Sequence, residues 1–179
     1  GGGNASGHVR IYENNNGTWT QIGSDIDGEA ASDQSGYSES GSAVSLSADG
    51  SVLAIGAYGN DGGGNASGHV RIYENNNGTW TQIGSDIDGE SSNDYFGWSV
   101  SLSDDGSVVA IGSIYDDGTA TNAGHVRIYE NNNGTWTQIG SDIDGEAYSD
   151  ESGFSVSLSS DGSVVAIGAR YNDGGGNNS

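Results

Sequence analysis

Gly68-His69-Val70-Arg71-Ile72-Tyr73-Glu74-Asn75-Asn76-Asn77-Gly78-Thr79-Trp80-Thr81-Gln82-Ile83-Gly84-Ser85-Asp86-Ile87-Asp88-Gly89-Glu90 recurs without a change from Gly7 and from Gly124. The three copies are spaced by 61 and 56 residues. A second block, Val-Ser-Leu-Ser-x-Asp-Gly-Ser-Val, starts at Val44, Val100 and Val156, so each unit carries both halves of one pattern. The five-residue difference in spacing falls at Tyr37-Ser38-Glu39-Ser40-Gly41, which reads as a loop insertion. Self-similarity at such a period marks a propeller, a solenoid or an array.

Four short strands are predicted in each unit. Residues 44–47 and 51–57 flank Asp49-Gly50, a dipeptide that accepts the positive φ of a tight hairpin turn. Residues 8–12 alternate, with Val9 and Ile11 on one face and His8, Arg10 and Tyr12 on the other, and Asn15-Asn16-Gly17 turns the chain into 18–22. The Val52-Leu53-Ala54-Ile55 run is apolar on both faces and suits an inner strand covered from two sides. Trp19, Trp80 and Trp136 stand between threonines, as on a half-exposed outer strand. No segment has the caps and period of an amphipathic helix. The expected fold is all-β, a β-propeller-type repeat of four-stranded antiparallel blades, with a solenoid or sandwich as the alternative.

Counted this way, residues 1–28 are a half blade of outer strands, 29–89 and 90–145 are blades, and 146–179 is a half blade of inner strands. That makes about three blade equivalents, whereas a closed ring needs ~4 to 8. The start lacks an initiating methionine or signal pattern, and Gly174-Gly175-Gly176-Asn177-Asn178-Ser179 echoes Gly1-Gly2-Gly3-Asn4-Ala5-Ser6. The expected partners are therefore identical chains joined head to tail, or further repeats of the same chain.

Composition narrows function. Four basic side chains, all arginine, stand against 25 acidic ones for a net charge of −21. This argues against nucleic acid, whose phosphates need clustered Lys and Arg. No window is apolar enough to insert in a membrane, and without cysteine there is no disulfide or thiolate metal site.

Phe96-Gly97-Trp98-Ser99-Val100-Ser101-Leu102-Ser103, Val108-Val109-Ala110-Ile111-Gly112-Ser113, Gly124-His125-Val126-Arg127-Ile128-Tyr129 and Gly134-Thr135-Trp136-Thr137 resemble FG-GAP repeats. The likeness recurs in all three copies, with the Phe-Gly pair replaced by Gly-Tyr or Gly-Phe elsewhere. That family builds propeller blades, including those of integrin α-chain heads, so the resemblance implies an extracellular or cell-surface protein of adhesion or recognition. It departs from the integrin pattern at Ala48-Asp49-Gly50, Asp104-Asp105-Gly106 and Ser160-Asp161-Gly162, loops too short to hold that family's calcium.

The remaining acids form triplets: Asp25, Asp27 and Glu29; Asp86, Asp88 and Glu90; Asp142, Asp144 and Glu146. They read either as solvated loop acids or as calcium ligands, since hard oxygens suit Ca²⁺. Asn60-Asp61-Gly62, Asp116-Asp117-Gly118 and Asn172-Asp173-Gly174 are explained by turn chemistry alone. Sequons at Asn16, Asn77 and Asn133 lie at a hairpin tip, with a second set at Asn4, Asn65 and Asn177, so N-linked glycans are expected. His8, Arg10, Tyr12 and their copies repeat in every unit, whereas an active site gathers unlike residues; the arginines are expected to pair with carboxylates, and the chain is not read as an enzyme. A binding face would bring together residues that differ between copies, such as Tyr37, Tyr95, Tyr115, Tyr148 and Arg170. A scaffold would scatter them, and the expected function is an extracellular glycosylated structural or adhesive element that assembles head to tail into a fibre or belongs to a long blade array, with a recognition propeller that binds a carbohydrate or protein as the alternative.

Overall fold

The computed structural model describes residues 3–37 and 43–172. Residues 38–41 of the insertion, the sequon at Asn177, Asp173 and Gly174 of the third acidic turn, and the closing echo at 174–179 lie outside these. Among the described residues the chain is all-β, in antiparallel sheets without a helix.

Unit by unit, the strands are β1 (His8–Val9), β2 (Tyr12–Asn15), β3 (Thr18–Gln21) and β4 (Ile26–Asp27); β5 (Val44–Leu46), β6 (Val52–Ala57), β7 (His69–Asn76), β8 (Thr79–Gln82) and β9 (Ile87–Asp88); β10 (Phe96–Leu102), β11 (Val108–Ser113), β12 (His125–Asn132), β13 (Thr135–Gln138) and β14 (Ile143–Asp144); β15 (Ser152–Leu158) and β16 (Val165–Ala169). Two sheets are complete, in the orders β5-β6-β7-β8 and β10-β11-β12-β13. Each gains a fifth, two-residue strand absent from the sequence reading: β9 pairs with the start of β7 and β14 with the start of β12. The eight-residue third strand is thus shared, its far half carrying the hairpin partner and its near half the returning chain.

Both predicted hairpins form. At the first, Asp49 Oδ1 accepts from the Ser51 hydroxyl at 2.7 Å, the Ser51 amide at 2.9 Å and the Ser47 hydroxyl at 2.8 Å. These bonds, led by the Ser51 hydroxyl, lower the Asp49 pKa to about 2, and Asp161 repeats the arrangement in the last unit. At the second, Asn16, Asn77 and Asn133 all take φ of +52°, a left-handed conformation that asparagine tolerates well.

The apolar core lies between sheets rather than within one. Leu53 and Ile55 pack with Ile11, Ile26 and Tyr73 towards the preceding sheet, while Ala54 joins Val70, Ile72, Phe96, Val100 and Ile111 towards the following one. The run at 52–55 is accordingly covered on both faces. Each fully buried Val, Ile or Phe contributes about 1.5–3 kcal/mol relative to exposure.

Polar contacts fasten the same junctions. The Leu102 amide donates to Ser45 Oγ and the Leu158 amide to Ser101 Oγ, both at 3.0 Å, which accounts for serine within an apolar strand. Trp80 Nε1 donates to the Ile22 carbonyl at 3.2 Å, and Trp136 Nε1 to the Ile83 carbonyl at 3.1 Å; Trp19 is 65% exposed. The backbones approach closely at Gly56. A Cβ there would sit 2.0 Å from the Gly97 carbonyl oxygen, and Gly97 itself takes φ of +85° in a bulge at the start of β10. Only glycine meets both demands.

Candidate functional site

Two groups of side chains gather where successive units meet, near the ends of β6 and β11.

The first is acidic. Asp33, Asp94 and Asp150, at 2%, 6% and 1% exposure, recur in every unit. Their Oδ2 atoms accept from the amides of Ala30, Ser91 and Ala147 at 2.8–2.9 Å, so each carboxylate closes its own turn. Their backbone carbonyls accept from the amides of Gly59, Tyr115 and Tyr171, chain that follows the next inner hairpin. Burial, with Asp116 nearby, pushes the Asp94 carboxyl up to about 6.

The arginines cross the same seam. Arg71 Nη2 donates to the Asp27 carbonyl at 2.9 Å, and Nη1 lies 3.5 Å from Glu29. Arg127 Nη2 contacts Glu90, the last residue of the preceding copied string, and Asp142 of its own string, both at 2.8 Å. Arg127 holds the Asp142 carboxyl below its usual range. Arg10 is 3.8 Å from Asp25, and both are exposed. The expected pairing of arginine with carboxylate is present in all three copies.

The predicted acidic triplets are not assembled as units. In the middle copy Asp86 accepts from Gln82 and faces His69, Asp88 lies in β9, and Glu90 turns to Arg127. In the first copy Asp25 accepts from Gln21 while Glu29 faces Arg71. Asp142 takes both Arg127 and Gln138, and Asp144 and Glu146 are exposed beside a cleft at the third junction. Where three possible ligand atoms come close, among the described residues, they combine separate segments with a histidine: Glu29, His69 and Asp86, or Asp116, His125 and Asp144. Burial lowers the His69 pKa.

The second group is aromatic. Tyr58 stacks at a tilt on Tyr95 (5.1 Å between centroids) and Trp98 (4.9 Å); Tyr37 adjoins Tyr58, Tyr115 adjoins Tyr95 and Phe154 adjoins Trp98. The Arg170 guanidinium lies 4.6 Å over Phe154 and 4.5 Å over Tyr171, and pairs with Glu151 at 2.7 Å. A cleft of about 310 Å³ opens beside Tyr58 and Tyr95, lined also by Gln34, Asp61 and Asn65.

These rings come from the positions at which the units differ. Bridges align Ser35, Phe96 and Ser152. From that register, Gln34, Tyr95 and Glu151 are equivalent, as are Tyr37, Trp98 and Phe154, and likewise Tyr58, Ile114 and Arg170. Gln34, Tyr95 and Glu151 also share a left-handed φ of 53–58°, uncommon for such side chains. Tyr37, Tyr95, Tyr115 and Arg170 thus lie along one run of ring and cation contacts, of which only Tyr95 lines the cleft, whereas Tyr148 is 71% exposed and makes none of these ring contacts.

Residues 86–129 match the FG-GAP repeat family. The FG-GAP segment runs from β9 to the middle of β12 and contains Phe96, fully buried between sheets, and the Gly97 bulge. In the other units the pair corresponding to Phe96-Gly97 is Ser35-Gly36 and Ser152-Gly153, one residue earlier than the Gly-Tyr and Gly-Phe of the sequence reading, because the glycine of the bulge sets the register. No curated protein matches the chain significantly. Among solved structures, a Bacteroides uniformis protein proposed to be a 6-phosphogluconolactonase is similar, with a TM-score of 0.52 and 16% identity over 91% of this chain. The chain spans 38% of that protein's length, and the likeness bears on fold alone.

The sequons differ in setting. Asn16, Asn77 and Asn133 are exposed, with exposed threonines two residues on. Asn4 and Asn65 are exposed as well, but their hydroxyl residues Ser6 and Ser67 are buried, and Ser67 Oγ accepts from the Gly63 amide.

Proposed function

We propose that the chain is part of an extracellular, glycosylated module of adhesion or recognition, built of β-propeller-type blades and without a catalytic role. In this reading 29–89 and 90–145 are blades, and 1–28 and 146–179 contribute halves. One observation carries it: positions that vary between otherwise copied units converge on one aromatic cluster, in which Tyr58 and Trp98 are buried while Tyr37 is exposed and Tyr95 and Tyr115 are half-buried.

The chemistry of the cleft suits a carbohydrate. The half-buried Tyr95 ring offers a flat apolar face beside the edge of Tyr58, and Gln34, Asp61 and Asn65 supply hydrogen-bonding groups next to it. The FG-GAP match is in keeping with adhesion. A glycan array probed with the labelled chain tests the reading. Tyr95→Ala is expected to abolish binding and Trp19→Ala to leave it intact; equal binding by both variants would refute it. Mass spectrometry of material secreted from a eukaryotic host is expected to find glycans at Asn77 and Asn133 ahead of Asn65, and bare asparagine at all three would remove the extracellular assignment.

A second reading, assembly into a long array or fibre, is supported by the contacts that repeat from unit to unit. The indole of Trp80 or Trp136 bonds to the preceding unit in the same way, so a further unit, from this chain or another copy, can be added by the same bond. Electron microscopy distinguishes the two, since dispersed compact particles would exclude the fibre.

A further inference from the structure

The acidic seam around His125 has the makings of a metal centre, and a different one from the triplet sites expected from sequence. Three segments converge there: Asp116 follows β11, His125 opens β12 and Asp144 ends β14. His125 and Asp144 are direct cross-strand partners, so the sheet itself fixes two of the three. One possible ligand atom from each lies within 4.8 Å of the others.

Three further observations point to a bound cation. The His125 imidazole is 2% exposed, and neither ring nitrogen has a hydrogen-bond partner. Asp116 Oδ1 comes within 2.9 Å of Nδ1, but without the alignment of an N–H donor, so the contact leaves that nitrogen's hydrogen-bonding capacity unmet. A buried imidazole normally satisfies at least one nitrogen. Next, Gly118 stands between the two carboxylates. A Cβ there would be 2.9 Å from Asp144 Oδ1 and 3.1 Å from Asp116 Oδ1, so the absence of a side chain keeps that space open. Finally, the adjoining cleft of about 310 Å³ is lined by Glu90, Asp94, Asp116, Asp117 and Asp142 against a single cation, Arg127, which Glu90 and Asp142 already engage. The acids left over surround an opening wide enough for a hydrated ion to enter.

We propose that Asp116, His125 and Asp144 bind a divalent transition-metal ion of the Zn²⁺ or Co²⁺ kind, with water completing its coordination. An imidazole between two carboxylates favours such an ion over Ca²⁺, which takes six to eight oxygens. Metal–ligand bonds of about 2.0–2.2 Å require the three groups to draw together slightly, a movement open to the exposed Asp144. The preceding seam keeps the histidine as His69 but has Asn60 in place of Asp116, with Asn60 and Asp88 flanking Gly62 in the same manner. It has one carboxylate fewer at these positions and binds more weakly.

Titration of the chelator-stripped chain with Co²⁺, followed by visible absorption, tests the proposal. One equivalent is expected to give a d–d spectrum that stoichiometric Zn²⁺ abolishes and a hundredfold excess of Ca²⁺ does not. Asp144→Asn, at an exposed position, keeps the fold by circular dichroism and is expected to weaken Co²⁺ binding at least tenfold; His125→Gln is expected to lose the first equivalent. If His125→Gln fails to fold, Asp144→Asn carries the test alone. Absence of the spectrum, its survival in Asp144→Asn, or its displacement by Ca²⁺ would each overturn the assignment.

Discussion

Trp19, Trp80 and Trp136 occupy identical Thr-Trp-Thr contexts, yet replacing each by phenylalanine should have unequal effects. Trp80 and Trp136 each donate to a carbonyl of the preceding unit, at 3.2 and 3.1 Å, and their rings lie against Gly23 and close to Gly84. Phenylalanine preserves most of the ring but removes the donor, leaving a partly buried carbonyl unpaired. A net hydrogen bond is worth about 0.5–1.5 kcal/mol, and the lost ring area adds a few tenths at ~25 cal/mol per Å². Each of these two substitutions should therefore cost about 1–2 kcal/mol. Trp19, 65% exposed and without that bond among the described residues, should stay within about 0.5 kcal/mol of the parent. With a urea m value of roughly 2–3 kcal/mol/M, the first two midpoints fall by about 0.5 M and the third barely moves. Far-UV circular dichroism is the suitable readout, since tryptophan fluorescence changes with the substitution itself. Equal shifts for all three variants would refute the idea that the indole works as a fastener between units.

Two other perturbations probe the packing and the hairpins. In Gly112→Ala the new methyl would sit 2.2 Å from the Gly153 carbonyl oxygen, a backbone atom of the next inner strand. Overpacking of this kind costs about 1–3 kcal/mol and should lower the melting temperature by roughly 2–12 °C in a chain of this size; an unchanged melting temperature would show that the sheets can slide apart. Asp49 and Asp161 have pKa values lowered from 3.8 to about 2, so their contribution is present above pH 4 and is lost as pH falls through 2. The double variant Asp49→Asn/Asp161→Asn should melt below the parent at pH 5 and converge with it near pH 2, and a gap independent of pH would disprove the carboxylate's role in the turn.

The strand pattern was readable because it rests on local rules. Alternation at 8–12, a run apolar on both faces at 52–55, and Asp-Gly and Asn-Gly turns each specify conformation within a few residues. The fifth strand was not, since Ile87-Asp88 is too short to establish a period. Asp33, Asp94 and Asp150 carry no sequence signal, because nothing in Ser-Asp or Asn-Asp marks a carboxylate for burial; that follows from the next unit covering it. The Asn60 and Asp116 loops were explained by turn chemistry, and both do donate and accept as turns, with the Gly62 and Gly118 amides bound to Asn60 and Asp116 Oδ1. The second role of Asp116, facing the buried His125, depends on a strand pairing that only the fold supplies. Arginine–carboxylate pairing was foreseen, but its reach from one copied string into the next was not, because identical copies give no hint of which Glu meets which Arg. For the aromatic cluster, Tyr37, Tyr95, Tyr115 and Arg170 were identified by their departure from the repeat, while Tyr58, Trp98 and Phe154 were hidden until the Gly97 bulge fixed the alignment.

Because apolar side chains are shared across junctions rather than enclosed inside any sheet, one unit cut out alone would have two wet faces and no interior. A stable interior therefore needs at least a neighbouring pair, and lengthening or shortening the protein is conservative only in whole steps. A deletion that ends in mid-unit damages not just the segment removed but also the junction left behind, which makes stability a property of the joints between units more than of the units themselves.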